Sequence, residues 1–309
     1  MSAAPGRSQA SSHRSPEGEG TPLSAAPGRS QASSHRSPKG EGIPVSRTPA
    51  HVVGVNLPRV VLPEVLDGLP AEDLAAQRSR RDLQRVHRAM GTRATLLRAL
   101  RALPLMRERT ASSAPLRVLE LGAGDGSLML GVARSLQGEW PSVNLTLLDR
   151  LPLLTAPTVA DYALAGWSAT AEVGDALDWA ARAKAARLAP QAPARWDLIV
   201  ANLFLHHFEG AELAMLLAAV ACSSDHFIAC EPRRAWLAWA GSHLVGAIGA
   251  NAVTREDAVL SVHAGFRDHE LRALWPASTP GWNLSETAAG LFSHCFVASR
   301  AAGSRMGAH

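Results

Sequence analysis

Between Leu116 and about residue 250 a short apolar run gives way to a helical one five times. LRVLEL precedes a helical stretch through Leu136, and VNLTLLD precedes a second. SATAEVGD leads into DWAARAKAARLA, WDLIVANL into a helix from about Ala211, and HFIACEP into one from about Ala235. Strand–helix units in series predict a parallel sheet covered on both faces, because each crossover helix must pack on the sheet it bridges. WNLSETAAG and LFSHCFVAS follow with no helix between them, so the spacing predicts a closing antiparallel hairpin. The expectation is an α/β, doubly wound, mostly parallel seven-stranded sheet ending in that hairpin.

The segments before this region differ in kind. SAAPGRSQASSHRSPEGEGTPL from Ser2 recurs from Ser24 with only Glu17/Lys39, Thr21/Ile43 and Leu23/Val45 changed. Rich in Ser, Gly, Pro and Arg, the unit has no apolar face to stack, so residues 1–50 read as a disordered tandem repeat. Ala71 to Leu105 is helical in pattern with a break at Gly91, its apolar line running through Leu74, Leu83, Val86, Met90, Leu96, Leu97 and Leu100. Arginines fill the other positions, either as a solvated face or as a cationic lid over an anionic group. These divisions give a helical lid or extension at 51–110, a main domain at 111–300 and a flexible tail at 301–309.

Charge and thiols bound the function. The net charge of +4 is modest, which makes nucleic acid an unlikely partner without forbidding it. Cys222, Cys230 and Cys295 have no metal-ligand spacing and lie in apolar runs, as expected of reduced thiols in a cytoplasmic protein. No metal site is expected. Ala235 to Val253, the longest apolar stretch, is interrupted by polar residues and glycines; it predicts a buried helix and no membrane span.

RVLELGAGDGSLM, residues 117–129, places Gly122, Gly124 and Gly126 between the first strand and its helix. Glycine lets the backbone approach a ligand, and the helix N-terminus offers unpaired N–H groups. A dinucleotide fingerprint would have its third glycine where Ser127 stands, and no GxxxxGK is present.

LELGAGDG resembles the first motif of the class I S-adenosylmethionine (SAM)-dependent methyltransferases, over about residues 115–299. The resemblance implies a Rossmann-like fold, SAM as methyl donor, and cofactor contacts from Glu120, Gly122, Ala123, Gly124, Gly126, Asp149, Arg150, Asp175, Ala176 and Asn202. Asp149 would take the ribose hydroxyls, the alternative being a helix cap. Asp175 would meet adenine or cap the next helix, or do the latter while its neighbour's N–H meets the base. Leu205-His206-His207 is similar to the stretch after the fourth strand in quinone-biosynthesis methyltransferases. CEPRR and TREDAVLSVHAGF look like bacterial methyltransferases of polyketide-type aromatic metabolites, implying secondary metabolism.

The implied reaction is methylation of a small aromatic or polyketide-like acceptor, at a hydroxyl, with His206 or His207 as the group that deprotonates or hydrogen-bonds it. An imidazole near pKa ~6.5 is a weak base for a phenol near ~10, so the phenol must be acidified or the transfers coupled. The alternatives are an RNA or protein methyltransferase and an inactive SAM-binding scaffold, with a dinucleotide oxidoreductase further off. Oligomeric state stays open.

Overall fold

The computed structural model describes residues 57–106, 114–277 and 281–301, all within one compact unit, Val52–His309. The tandem repeat and the residues after Ala301 lie outside the described residues. Two N-terminal helices, α1 (Leu74–Met90) and α2 (Thr92–Ala102), meet at Gly91, which sits at φ 68°. That left-handed conformation favours glycine and ends α1 where the sequence predicts a break.

The sheet follows: β1 (Leu116–Leu121), β2 (Val143–Asp149), β3 (Trp167–Val173), β4 (Leu198–Asn202) and β5 (His226–Pro232) are parallel. The hairpin of β6 (Trp282–Ala289) and β7 (Ser293–Arg300) adds antiparallel to β5. The order is β3-β2-β1-β4-β5-β7-β6. The winding reverses between β1 and β4, and the ligand crevice of such a sheet lies beyond the strand ends at that reversal.

Alternation along β1 divides the core. Leu116 and Val118 pack with α2 and with α3 (Ser127–Leu136), whereas Leu119 and Leu121 pack on the opposite face. There they meet α5 (Ala176–Leu188) and α6 (Gly210–Ser223). The remaining crossover helix, α4 (Ala156–Leu164), starts at Thr155, whose side chain accepts from the Thr158 N–H.

One expectation needs correction. Ala235 to Val253 is not one buried helix. It forms α7 (Trp236–Ser242), a 3₁₀ turn at Val245–Ile248, and the start of α8 (Ala252–Ala264), with Gly249 at φ 81° between them. Trp236 and Leu244 are more than half exposed. α7 passes through Gly241 and ends at Ser242, and Gly249 ends the 3₁₀ turn that follows. The apolar line of α1 lies beside its buried face. The buried positions are Ala76, Ser79 and Asp82; Ser79 Oγ bonds Thr254 Oγ1 at 2.8 Å, and Asp82 accepts from the Asn251 N–H at 2.8 Å. These polar ties fix α1 to α8 and turn Leu83, Val86 and Met90 toward a cavity. A short helix, α9 (Glu270–Leu274), completes the described fold.

Candidate active site

The glycine turn is folded around Asp149. Its Oδ2 accepts from the Gly124 N–H at 2.7 Å and its Oδ1 from the Leu151 N–H at 3.0 Å. Asp149 therefore ties the β1 turn to the end of β2, and the capping alternative falls to Thr155. Gly122 lies at φ 68°, and a Cβ there would come 2.1 Å from the Phe204 ring. A Cβ on Gly124 would meet nothing within 4 Å, so its backbone faces open space.

A cleft of about 910 Å³ opens over this turn. Glu120, Gly122, Ala123, Gly124, Asp149, Arg150, Asp175, Ala176, Asn202, His206 and His207 all line it. Gly126 does not. It sits beneath as the N-terminal flank of α3, its carbonyl accepting from the buried Tyr162 hydroxyl at 2.6 Å. Asp175 caps α5 through the Leu177 N–H at 2.7 Å, leaving Ala176 beside it in the wall. Arg150 points its guanidinium to 3.6 Å from Asp67.

Glu120 and Asn202 face each other at the floor. Asn202 Nδ2 donates to Glu120 Oε1 at 3.2 Å, while Glu120 Oε2 and Asn202 Oδ1 have no partner. Burial raises the Glu120 pKa to about 8; the hydrogen bond from Asn202 opposes this, and Asp149 and Asp125 add to it.

Helix α1 covers one side with Arg80, Leu83, Gln84 and His87, and Gln84 donates to Asp125 at 3.0 Å. Arg78, Arg81, Arg85 and Arg88 are exposed. The arginine line is thus mainly a solvated face, with Arg80 alone of these turned to the cleft.

The histidines occupy a 3₁₀ turn, Leu205–His207, so they are not on opposite faces of a strand. Leu203 before them takes φ 49°, uncommon for a branched side chain, and is held by its N–H on the Cys230 carbonyl at 2.8 Å. Buried Glu231, at the end of β5, accepts from the Phe204 and Leu205 N–H groups and from His206 Nδ1 at 2.9 Å. His206 Nε2 lies 3.3 Å from Glu64 Oε1. Burial would lower the His206 pKa, but the bonds to Glu231 and Glu64 outweigh it and raise it to about 9. His207 Nδ1 is 3.3 Å from Asp67 Oδ2. Burial, then the charge on His206, lowers its pKa.

Glu64 and Asp67 come from a strap before α1, Asp67 from its 3₁₀ turn at Leu66–Gly68. Val60 N–H donates to the His263 carbonyl at 3.1 Å, Arg59 to the Ala264 and Phe208 carbonyls, and Asp257 accepts from Val65 and Leu66. Beneath the strap lies a second cavity of about 290 Å³, walled by Leu83, Val86, Met90, Val245, Ile248 and Phe292 among others. Glu64, Leu66, Leu83, Leu203 and Ser261 line both spaces. Sequence reasoning missed Glu64, Asp67, Glu231 and Ser261. Only Glu231 left a signal, as the acid closing a strand in CEPRR.

No protein-family model and no curated protein matches the chain. Among solved structures it is similar to an O-methyltransferase family protein from Burkholderia thailandensis, at 15% identity and TM-score 0.48, over 75% of this chain and 62% of that one. It is similar to the plantazolicin methyltransferase BamL in complex with a triazolic desmethylPZN analog and SAH, at 12% identity and TM-score 0.48, over 76% and 92%. A magnesium protoporphyrin IX methyltransferase from Synechocystis PCC 6803 with bound SAM gives 14% identity and TM-score 0.39, over 77% and 88%. The chain spans 62% of the length of the Burkholderia protein. At these identities and TM-scores the reading of the site rests on this chain's own residues. Among the described residues no helix is long and apolar enough to cross a membrane.

Proposed function

We propose that this chain is a SAM-dependent methyltransferase acting on a small, largely apolar acceptor, at a hydroxyl. One observation carries the reading: a large cleft built on the glycine turn, with carboxylate, amide and imidazole groups in its lining, shares a wall at Glu64, Leu203 and Ser261 with a smaller, almost wholly apolar cavity. Two substrates of unlike polarity suit such a pair of spaces.

The residues present fit the donor. Glu120 and Asn202 keep buried oxygens without partners, which an ammonium-bearing ligand would satisfy. The open space at Gly124 gives a backbone cradle that a side chain would fill. Asp149 remains the candidate for the ribose hydroxyls, since a carboxylate oxygen can accept more than one bond. With Asp175 occupied as a cap, the Ala176 side of that turn is the candidate for adenine. When bound, SAM supplies a methyl carbon made electrophilic by its sulfonium.

The remaining work is positioning. The apolar walls from α1 and α8 would hold the acceptor's body and exclude water, and the Glu64–His206–His207 corner would receive its polar group. Alignment for in-line attack can supply up to roughly 7–11 kcal/mol. The three free cysteines support a reducing, cytoplasmic setting.

The test is calorimetry with SAM, followed by a labelled-methyl assay over phenols, polyketide pyrones and quinols, with bulk RNA and protein as parallel acceptors. SAM binding with label on a small phenolic acceptor is expected. Absence of SAM binding, or label on RNA or protein alone, overturns the reading.

A further inference from the structure

Glu64, His206 and His207 each offer one ligand atom, and these atoms lie within 4.8 Å of one another at the junction of the two cavities. We propose that these three side chains form a binding site for a divalent transition-metal ion, zinc or a neighbour of it, on the acceptor side of the cleft. Two imidazoles and one carboxylate with open positions suit a late first-row ion.

One separation already fits, that between His206 and Glu64. His206 Nε2 and Glu64 Oε1 are 3.3 Å apart, long for a charge-assisted hydrogen bond. Metal–ligand bonds of about 2.0–2.1 Å at a tetrahedral angle place two ligand atoms about 3.3 Å apart.

The stronger argument is what stands behind each ligand. Imidazole ligands usually donate their second N–H to a carboxylate or carbonyl, which fixes the ring and presents the other nitrogen. His206 gives Nδ1 to Glu231, itself anchored by backbone N–H groups, and so presents Nε2. His207 has Nδ1 3.3 Å from Asp67, leaving Nε2 without a partner among the described residues. Glu64 accepts from the Ser261 hydroxyl. Each ligand is therefore oriented by its own supporting group, which a chance meeting of polar side chains would not require. A simple ion pair between His206 and Glu64 explains neither the placement of His207 nor that of Asp67.

No spacing motif marks this site, because its third ligand, Glu64, is 142 residues from His206. The proposal departs from the expectation that no metal site is present, and the titration below decides between them. The inference rests on the methyltransferase reading only for its consequence. A cation at this junction would lower the pKa of an acceptor hydroxyl, whose proton would pass to solvent. That supplies the acidification a lone histidine lacks.

The experiment uses the full chain freed of metal by a chelator, titrated with Zn²⁺ by calorimetry and with Co²⁺ by visible absorption. SAM is titrated separately without metal. Saturable Zn²⁺ binding at a single site and a Co²⁺ d–d band are expected. His207→Ala and Glu64→Gln should abolish both, and Ser261→Ala should weaken Zn²⁺ by roughly 10-fold, as removal of a supporting group does. No specific binding by wild type, or binding unchanged in both His207→Ala and Glu64→Gln, overturns the site. Failure of SAM to bind while the metal does would instead remove the methyltransferase reading.

Discussion

Asn202 Nδ2 donates to Glu120 Oε1 at 3.2 Å, and the pair leaves one oxygen on each residue without a partner at the floor of the cleft. Burial holds the Glu120 carboxyl up to about 8 from 4.5, so at neutral pH it is largely protonated. Its folded pKa is raised, so its contribution to stability is fully present below about 4.5 and is lost as pH rises through about 8. A cationic ligand group beside it favours the carboxylate and would draw the proton off. SAM affinity should therefore rise from pH 6 toward 8 and fall again above, where the ligand's own α-amino group, of pKa about 8, loses its charge, with proton release below pH 8 seen as buffer-dependent heat. Glu120→Gln should stabilise the unliganded protein at pH 8 while weakening SAM and flattening the pH profile. A variant that keeps full affinity and the same slope would remove Glu120 from the cofactor site.

Asp149 spends both oxygens on the backbone of two turns, at Gly124 and Leu151. Asp149→Ala should cost roughly 1.5–3 kcal/mol per charge-assisted bond lost, through the loosened turn and through the ribose contact. Asp149→Asn can accept at one oxygen only and should also weaken SAM. Undiminished SAM affinity in both variants, by calorimetry, would leave Asp149 with a folding role alone.

The legible part of this protein was local and periodic. β1, β2 and β5 lie where their apolar runs place them, and the break at Gly91 follows from one residue's tolerance of positive φ. The glycine turn and the acid after LTLL were readable because they are contiguous with strands. The acceptor corner was not. Glu64, His206 and Glu231 come from a strap, a 3₁₀ turn and a strand end far apart in sequence, and no spacing rule joins them. What the apolar line of α1 faces was illegible for a related reason: Ser79 and Asp82 bond Thr254 and Asn251, and Leu83, Val86 and Met90 wall a cavity. Periodicity identifies an apolar face without saying whether protein or ligand will cover it.

Glu231 is fully buried and receives backbone N–H groups from Phe204 and Leu205 as well as His206 Nδ1. Glu231→Gln keeps the shape but turns an NH₂ group toward donors. Removing one partner of a buried charged pair typically costs about 3–5 kcal/mol. The denaturation midpoint should fall accordingly, and the 3₁₀ turn carrying both histidines should loosen. A midpoint unchanged from wild type would show that the turn is held by the packing of Leu205 in the core instead.

The two cavities can be separated by a single substitution. Ala258 on α8 is partly buried and lines the apolar cavity but not the cleft. Ala258→Leu adds three carbons pointing into about 290 Å³ of largely apolar space. Filling a void of this kind does not force neighbouring side chains off their rotamers, so stability should hold or rise slightly. The donor site shares no contact with residue 258, so SAM affinity should be unchanged. Acceptor binding should suffer: 2-naphthol, a fluorescent phenol of suitable size, should bind the wild type with saturation and bind the variant at least several-fold more weakly. Turnover on the best acceptor from the panel should fall in parallel through KM. Equal naphthol binding and turnover in the two proteins would place the acceptor elsewhere, in the open part of the cleft. Loss of SAM affinity in the variant would show that the shared wall at Leu203 and Ser261 couples the two spaces.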